Sequence, residues 1–135
     1  MIWILILTKV LTFSMASDQQ AQKITVTVNG KQFKATLEND ATSNAFKDML
    51  PLTLNMTELN ANEKFAELPK PLPTNRYNPG TIEVGDILLY GSSTIVLFYK
   101  KFDTPYSYTK IGKIDKVDGL EAALGAGNVK VSFVK

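Results

Sequence analysis

Four stretches of the chain alternate between apolar and polar residues, residues 23–28 strictly so. Residues 23–28 place Ile24, Val26 and Val28 on one face, and residues 31–37 do the same with Phe33, Ala35 and Leu37. Asn29-Gly30 between them is a favoured two-residue hairpin turn, so the pattern predicts an antiparallel pair with a solvated Lys/Thr face. Residues 52–59 and 128–134 alternate in the same way and predict two further strands. The stretch 85–101 is different. Its arms, Ile87-Leu88-Leu89-Tyr90 and Thr94-Ile95-Val96-Leu97-Phe98-Tyr99, carry apolar residues on both parities around Gly91-Ser92-Ser93. They are too short, and too β-branched or aromatic, for a helix. The pattern predicts a central hairpin covered on both faces.

Between the strands the period changes. Residues 39–43 are rich in side chains that accept from free helix N–H groups, and Ala45, Phe46, Met49 and Leu50 recur at helical spacing before Pro51. This predicts a short amphipathic helix across one mouth of a barrel. Residues 60–68 read as partly extended, and residues 69–80 hold four prolines, which predicts a long loop of defined shape. Residues 102–108 form an aromatic-rich turn and residues 110–114 another strand. Asp118 is placed to cap a helical turn through Leu120 to Leu124, ended by Gly125. Seven or more short strands with two short helices predict a mainly β fold, a closed or nearly closed barrel.

At 135 residues this is one domain's worth of chain. A net charge of +2, evenly spread, gives no electrostatic footprint for nucleic acid. The absence of Cys and His removes thiolate and imidazole metal sites, a Cys nucleophile and any His-based triad, so no metal or cofactor is expected. Arg76 is the sole arginine. Residues 1–16, MIWILILTKVLTFSMA, read as a secretory signal peptide that leaves no stable membrane span after cleavage, with residues 17–135 as the single domain. Export to a periplasm or medium follows from that reading. A mis-set start or an ordinary strand is the alternative, which would leave the protein cytoplasmic, because no basic residue precedes the apolar run and Lys9 interrupts it. Asn55-Met56-Thr57 matches a glycosylation sequon but falls inside a predicted strand.

Several segments together resemble the small bacterial cyclophilin-like domain family: the 43–51 helix, Asn60-Ala61-Asn62-Glu63-Lys64-Phe65, residues 79–87, Leu97-Phe98-Tyr99, Ile111-Gly112-Lys113-Ile114 and residues 119–125. The resemblance implies a compact cyclophilin-like β-barrel with helices capping its ends, and brings no characterised activity. Cyclophilins proper are prolyl isomerases that rely on an Arg beside a Phe-His pair; here there is no His, and Arg76 sits in the Pro-rich loop, so no catalytic residue carries over.

The candidate ligand-binding residues are Glu63, Arg76, Tyr77, Tyr99, Tyr106 and Tyr108, gathered at one barrel end as an aromatic pocket with one carboxylate and one guanidinium. The alternative is that the tyrosines pack on the barrel rim and Glu63 pairs with a lysine. The leading functional expectation is a non-catalytic binding module for a peptide or small amphipathic ligand. A weak or specialised prolyl isomerase is the second expectation, and an interaction protein using exposed barrel edges outside the cytoplasm is the third. A glycosidase-like pair among Glu58, Glu63 and Glu67 has no acid/base context in its favour. The partner and the oligomeric state stay open.

Overall fold

The computed structural model describes residues 22–135. The signal peptide expected at residues 1–16 therefore lies outside the described residues. Eight strands close into an antiparallel barrel: β1 (Gln22–Val28), β2 (Lys31–Leu37), β3 (Leu52–Leu59), β4 (Glu63–Glu67), β6 (Asp86–Tyr90), β7 (Thr94–Phe98), β9 (Thr109–Ile114) and β10 (Val129–Val134). The order around the barrel is β1-β10-β3-β4-β7-β6-β9-β2. A two-residue ribbon pairs β5 (Thr81–Ile82) with β8 (Phe102–Asp103) outside it. Among the described residues every barrel strand is paired on both sides, so the barrel itself presents no open edge there for a partner to extend.

Each predicted strand forms where its period placed it. Ile24, Val26, Val28, Phe33, Ala35 and Leu37 are all buried, and Asn29 and Gly30 turn the hairpin with φ of 49° and 77°. Residues 60–68 resolve into a second tight hairpin, whose turn puts Asn60 and Ala61 at φ of 55° and 53°. The two-faced apolar pattern of β6 and β7 is accounted for by two cores. Ile87, Leu89, Ile95 and Leu97 fill the barrel, whereas Leu88, Val96 and Phe98 face outward into a smaller cluster with Ile82 and Tyr108. The ribbon and residues 102–108 supply that outer cover.

The helices close the two barrel ends. Helix α1 (Ala41–Asp48) is capped by the Asp40 carboxylate, which accepts from the Ser43 N–H at 2.9 Å, and its Phe46 packs edge-on against Phe133 with centroids 5.5 Å apart. The Ser43 hydroxyl donates to the Ile111 carbonyl at 2.7 Å, tying the helix to β9. At the other end, α2 (Leu120–Leu124) buries Leu120 and Leu124, and Asn29 donates to the Ala123 carbonyl at 2.8 Å. The expected Asp118 cap is not formed. Gly119, at φ 80°, holds the cap position without any side-chain bond, because that left-handed backbone favours a residue with no Cβ. The 69–80 loop is pinned by Leu72, whose side chain is buried and whose N–H donates to the Ser92 carbonyl at 2.8 Å.

Candidate functional site

Strand register builds the floor of the site. On the outer face of β4, β7 and β6, one row runs Phe65, Val96, Leu88 and the next Glu67, Thr94, Tyr90, while Glu63 stands opposite Phe98. Two-residue periodicity therefore sends Glu63, Phe65 and Glu67 outward and turns Lys64 and Ala66 into the barrel. Residues 102–108 raise one wall with Phe102, Tyr106 and Tyr108, and the β3–β4 turn forms the other with Leu59, Asn60 and Asn62. The groove between them encloses about 450 Å³, within the range of roughly 300–1,000 Å³ usual for small-ligand sites.

The wall raised by residues 102–108 joins Tyr90 and Phe98 in a chain of rings. Tyr90 meets Tyr106 edge-on at 6.3 Å and Tyr108 at 5.8 Å; Tyr108 meets Phe98 at 5.7 Å, and Phe98 meets Phe102 at 5.8 Å. Such contacts hold each ring by its neighbours, so the wall is formed before any ligand arrives. Tyr90 and Tyr106 remain 50% and 59% exposed, and Leu59 39%.

The groove's charge comes from two carboxylates. Glu67 accepts from the Ser93 hydroxyl at 2.9 Å and from the Thr94 hydroxyl, and these bonds hold its carboxyl below the ordinary range. The Glu63 carboxyl has no hydrogen-bond or ion-pair partner among the described residues. Burial, with the negative charge of Glu58 beside it, pushes the Glu63 carboxyl up. No basic side chain lines the groove among the described residues.

Only Glu63, Tyr106 and Tyr108 of the six expected site residues meet in this groove. Arg76 is exposed on the 69–80 loop and lines none of the cavities described here. Tyr77 pairs backbone to backbone with Tyr108, its N–H donating at 2.8 Å and its carbonyl accepting at 2.9 Å, but its ring turns the other way, under the Lys110 ammonium at 5.4 Å. Burial and the charges of Asp86 and Glu38 push the Tyr77 phenol up to about 12. The expected single pocket at a barrel end is thus corrected to a groove on the barrel's outer wall, without the guanidinium. Leu59, Phe65 and Tyr90 complete it and escaped the sequence reading. Tyr90 could have been found, since it ends an apolar strand where the alternation turns it outward.

Tyr99 belongs to a separate assembly at the α2 end. There Lys64 is wholly buried, and its ammonium donates to Glu58 Oε1 at 3.0 Å, to the Gly125 carbonyl at 2.8 Å and to the Gly127 carbonyl at 2.6 Å, with the Tyr99 ring 5.3 Å away. The Tyr99 hydroxyl donates to the same Glu58 oxygen. Burial raises the Glu58 carboxyl, but the bonds from Tyr99, Lys64 and the Ala61 N–H outweigh it and hold it below the ordinary range. Burial and the Glu58 bond push the Tyr99 phenol upward. All donors and acceptors here are used within the protein, which is the condition for a structural anchor. No group of three or more potential metal-ligating side chains occurs among the described residues.

A closed eight-stranded barrel with a helix over each end and an aromatic groove on its wall defines a small barrel domain of the cyclophilin-like kind. Residues 26–134 match the Cyclophilin-like family, and the chain belongs to that family. The solution structure of the hypothetical protein AF2241 from Archaeoglobus fulgidus is similar in fold, with a TM-score of 0.54 and 18% identity over 84% of this chain and 94% of that one. No curated protein matches the chain. Among the described residues, no helix is long and apolar enough to cross a membrane.

Proposed function

We propose that the chain is a non-catalytic binding module whose outer-wall groove takes a short extended peptide segment. The observation that carries this reading is where the apolar surface is left open. Of the four large apolar side chains exposed among the described residues, Leu59, Tyr90 and Tyr106 line this one groove, and Val134 is elsewhere. Solvating a clustered apolar surface is costly, and such clusters mark interaction sites. The groove follows β4 from Glu63 to Glu67, about 13 Å at the rise of a strand, which suits about four extended residues.

Binding is favoured over prolyl isomerisation by the same geometry. A cationic donor stabilises a twisted prolyl amide best, and no basic side chain lines the groove among the described residues, Arg76 standing outside it. A titration with capped tetrapeptides, followed by NMR at the Val96 methyls and the Tyr108 ring, tests the reading. Saturable shifts confined to the groove and weakened by Tyr106→Ala are expected. No shift at millimolar peptide overturns it, and acceleration of proline tetrapeptide isomerisation in a protease-coupled assay replaces it with the enzymatic reading.

A further inference from the structure

Resting on that peptide-binding reading, we infer that the groove selects a cationic side chain, an arginine or lysine presented by the bound segment, and seats its charged head at Glu63 against the aromatic wall. Glu63 stands at the β3–β4 end of the groove with no cationic partner among the described residues, although the chain as a whole is basic. Lys64, its immediate neighbour, points into the barrel and is consumed by Glu58 and two carbonyls, so it cannot neutralise the groove. Glu67 adds a second negative charge at the far end, fixed by Ser93 and Thr94.

The rings supply the other half of the recognition. A guanidinium or ammonium is attracted to aromatic faces, and its aliphatic stem covers apolar surface while the head reaches a carboxylate. Tyr90 and Tyr106, half exposed, offer such faces along the groove toward Glu67, and Leu59 and Phe65 offer the apolar floor for a stem that ends at Glu63. An anionic segment would meet two carboxylates and no cation, and a wholly apolar one would bury Glu63 further without a partner. Burial and Glu58 already hold the Glu63 carboxyl above its ordinary range, and a seated cation relieves that cost. The guanidinium suits the site best, because its planar fork can bond a carboxylate while stacking on a ring.

The experiment compares acetyl-Ala-Arg-Ala-Ala-amide with the same peptide carrying citrulline, a neutral isostere of arginine, in NMR titrations of the full chain at low salt. The arginine peptide is expected to bind at least about tenfold more tightly, from one charge-assisted contact plus a cation–π contact. Glu63→Gln should remove most of that difference, Glu67→Gln less, and raised salt should reduce it. Equal binding of both peptides at the groove overturns the cation selectivity and leaves the peptide-binding reading standing. Arginine preference that survives Glu63→Gln also overturns it, by placing the cation elsewhere. If neither peptide shifts the Val96 or Tyr108 signals at millimolar concentration, both readings fall.

Discussion

Lys64→Met tests how the barrel tolerates a wholly buried cation. Methionine keeps most of the aliphatic stem and deletes the ammonium, so the change isolates the three bonds to Glu58, Gly125 and Gly127. Without the donor, two carbonyls lose their partner and the Glu58 carboxylate keeps only the Tyr99 hydroxyl and the Ala61 N–H. Removing one member of a buried ion pair costs about 3–5 kcal/mol, and the lower end applies because the Glu58 side chain is 20% exposed and water can reach it. Against a total stability of about 5–15 kcal/mol for a domain, a loss of about 3 kcal/mol lowers the melting temperature by about 10–15 °C. Urea unfolding of the wild type, Lys64→Met, Glu58→Gln and the double variant measures the coupling. The double variant should lose at least about 1 kcal/mol less than the sum of the singles, as expected for groups that share one network. A Lys64→Met cost under about 1 kcal/mol, or additive singles, would show that the ammonium contributes little and refute the anchor.

Three further outcomes are expected. Because the folded Glu63 carboxyl titrates above its unfolded value, the stability it contributes is present below that unfolded value and is lost as the pH rises through the folded one; Glu63→Gln should therefore be more stable than wild type at pH 7 and indistinguishable at pH 3.5, by thermal melts, and equal melts at pH 7 would contradict the burial argument. Glu58 and Asp115 are shifted the other way, so their stabilisation is present above their unfolded values and disappears as the pH falls through the lower folded ones; Lys64→Met should reduce only the Glu58 share of this acid loss in a pH series of urea midpoints, leaving the share that Lys23 and Thr36 give Asp115. Gly112→Ala would drive a Cβ to 2.3 Å from the Thr36 carbonyl oxygen and 3.0 Å from the Leu37 Cα at the β2–β9 seam; backbone cannot yield as a side-chain tip would, so a loss of about 1–3 kcal/mol or more is expected on denaturant unfolding, and a neutral result would mean that the seam opens freely.

Much of the barrel could be read directly. The Asn29-Gly30 hairpin, the helix ended before Pro51 and the alternating strands follow from local periods of two or 3.6 residues, which depend only on neighbours in the chain. The groove was harder to see. The chemistry of Glu63, Tyr106 and Tyr108 marks them in the sequence, but it marks Arg76 and Tyr77 equally, because loop residues carry no period that fixes their direction. Tyr99 closes an apolar run and reads as a wall residue, but its hydroxyl is drawn to Glu58 at the α2 end.

Hydrophobic alternation along the chain determined that short strands would form, which side of each would be dry, and that 85–101 needed cover on both faces. Closure of the barrel decided the rest. It brought Glu58, the Gly125 and Gly127 carbonyls and Tyr99 around Lys64 from separate strands and loops, and set Tyr90, Tyr106 and Tyr108 side by side over Val96. Partners so distant in sequence leave no local signature, because their proximity arises from strand register and not from spacing along the chain.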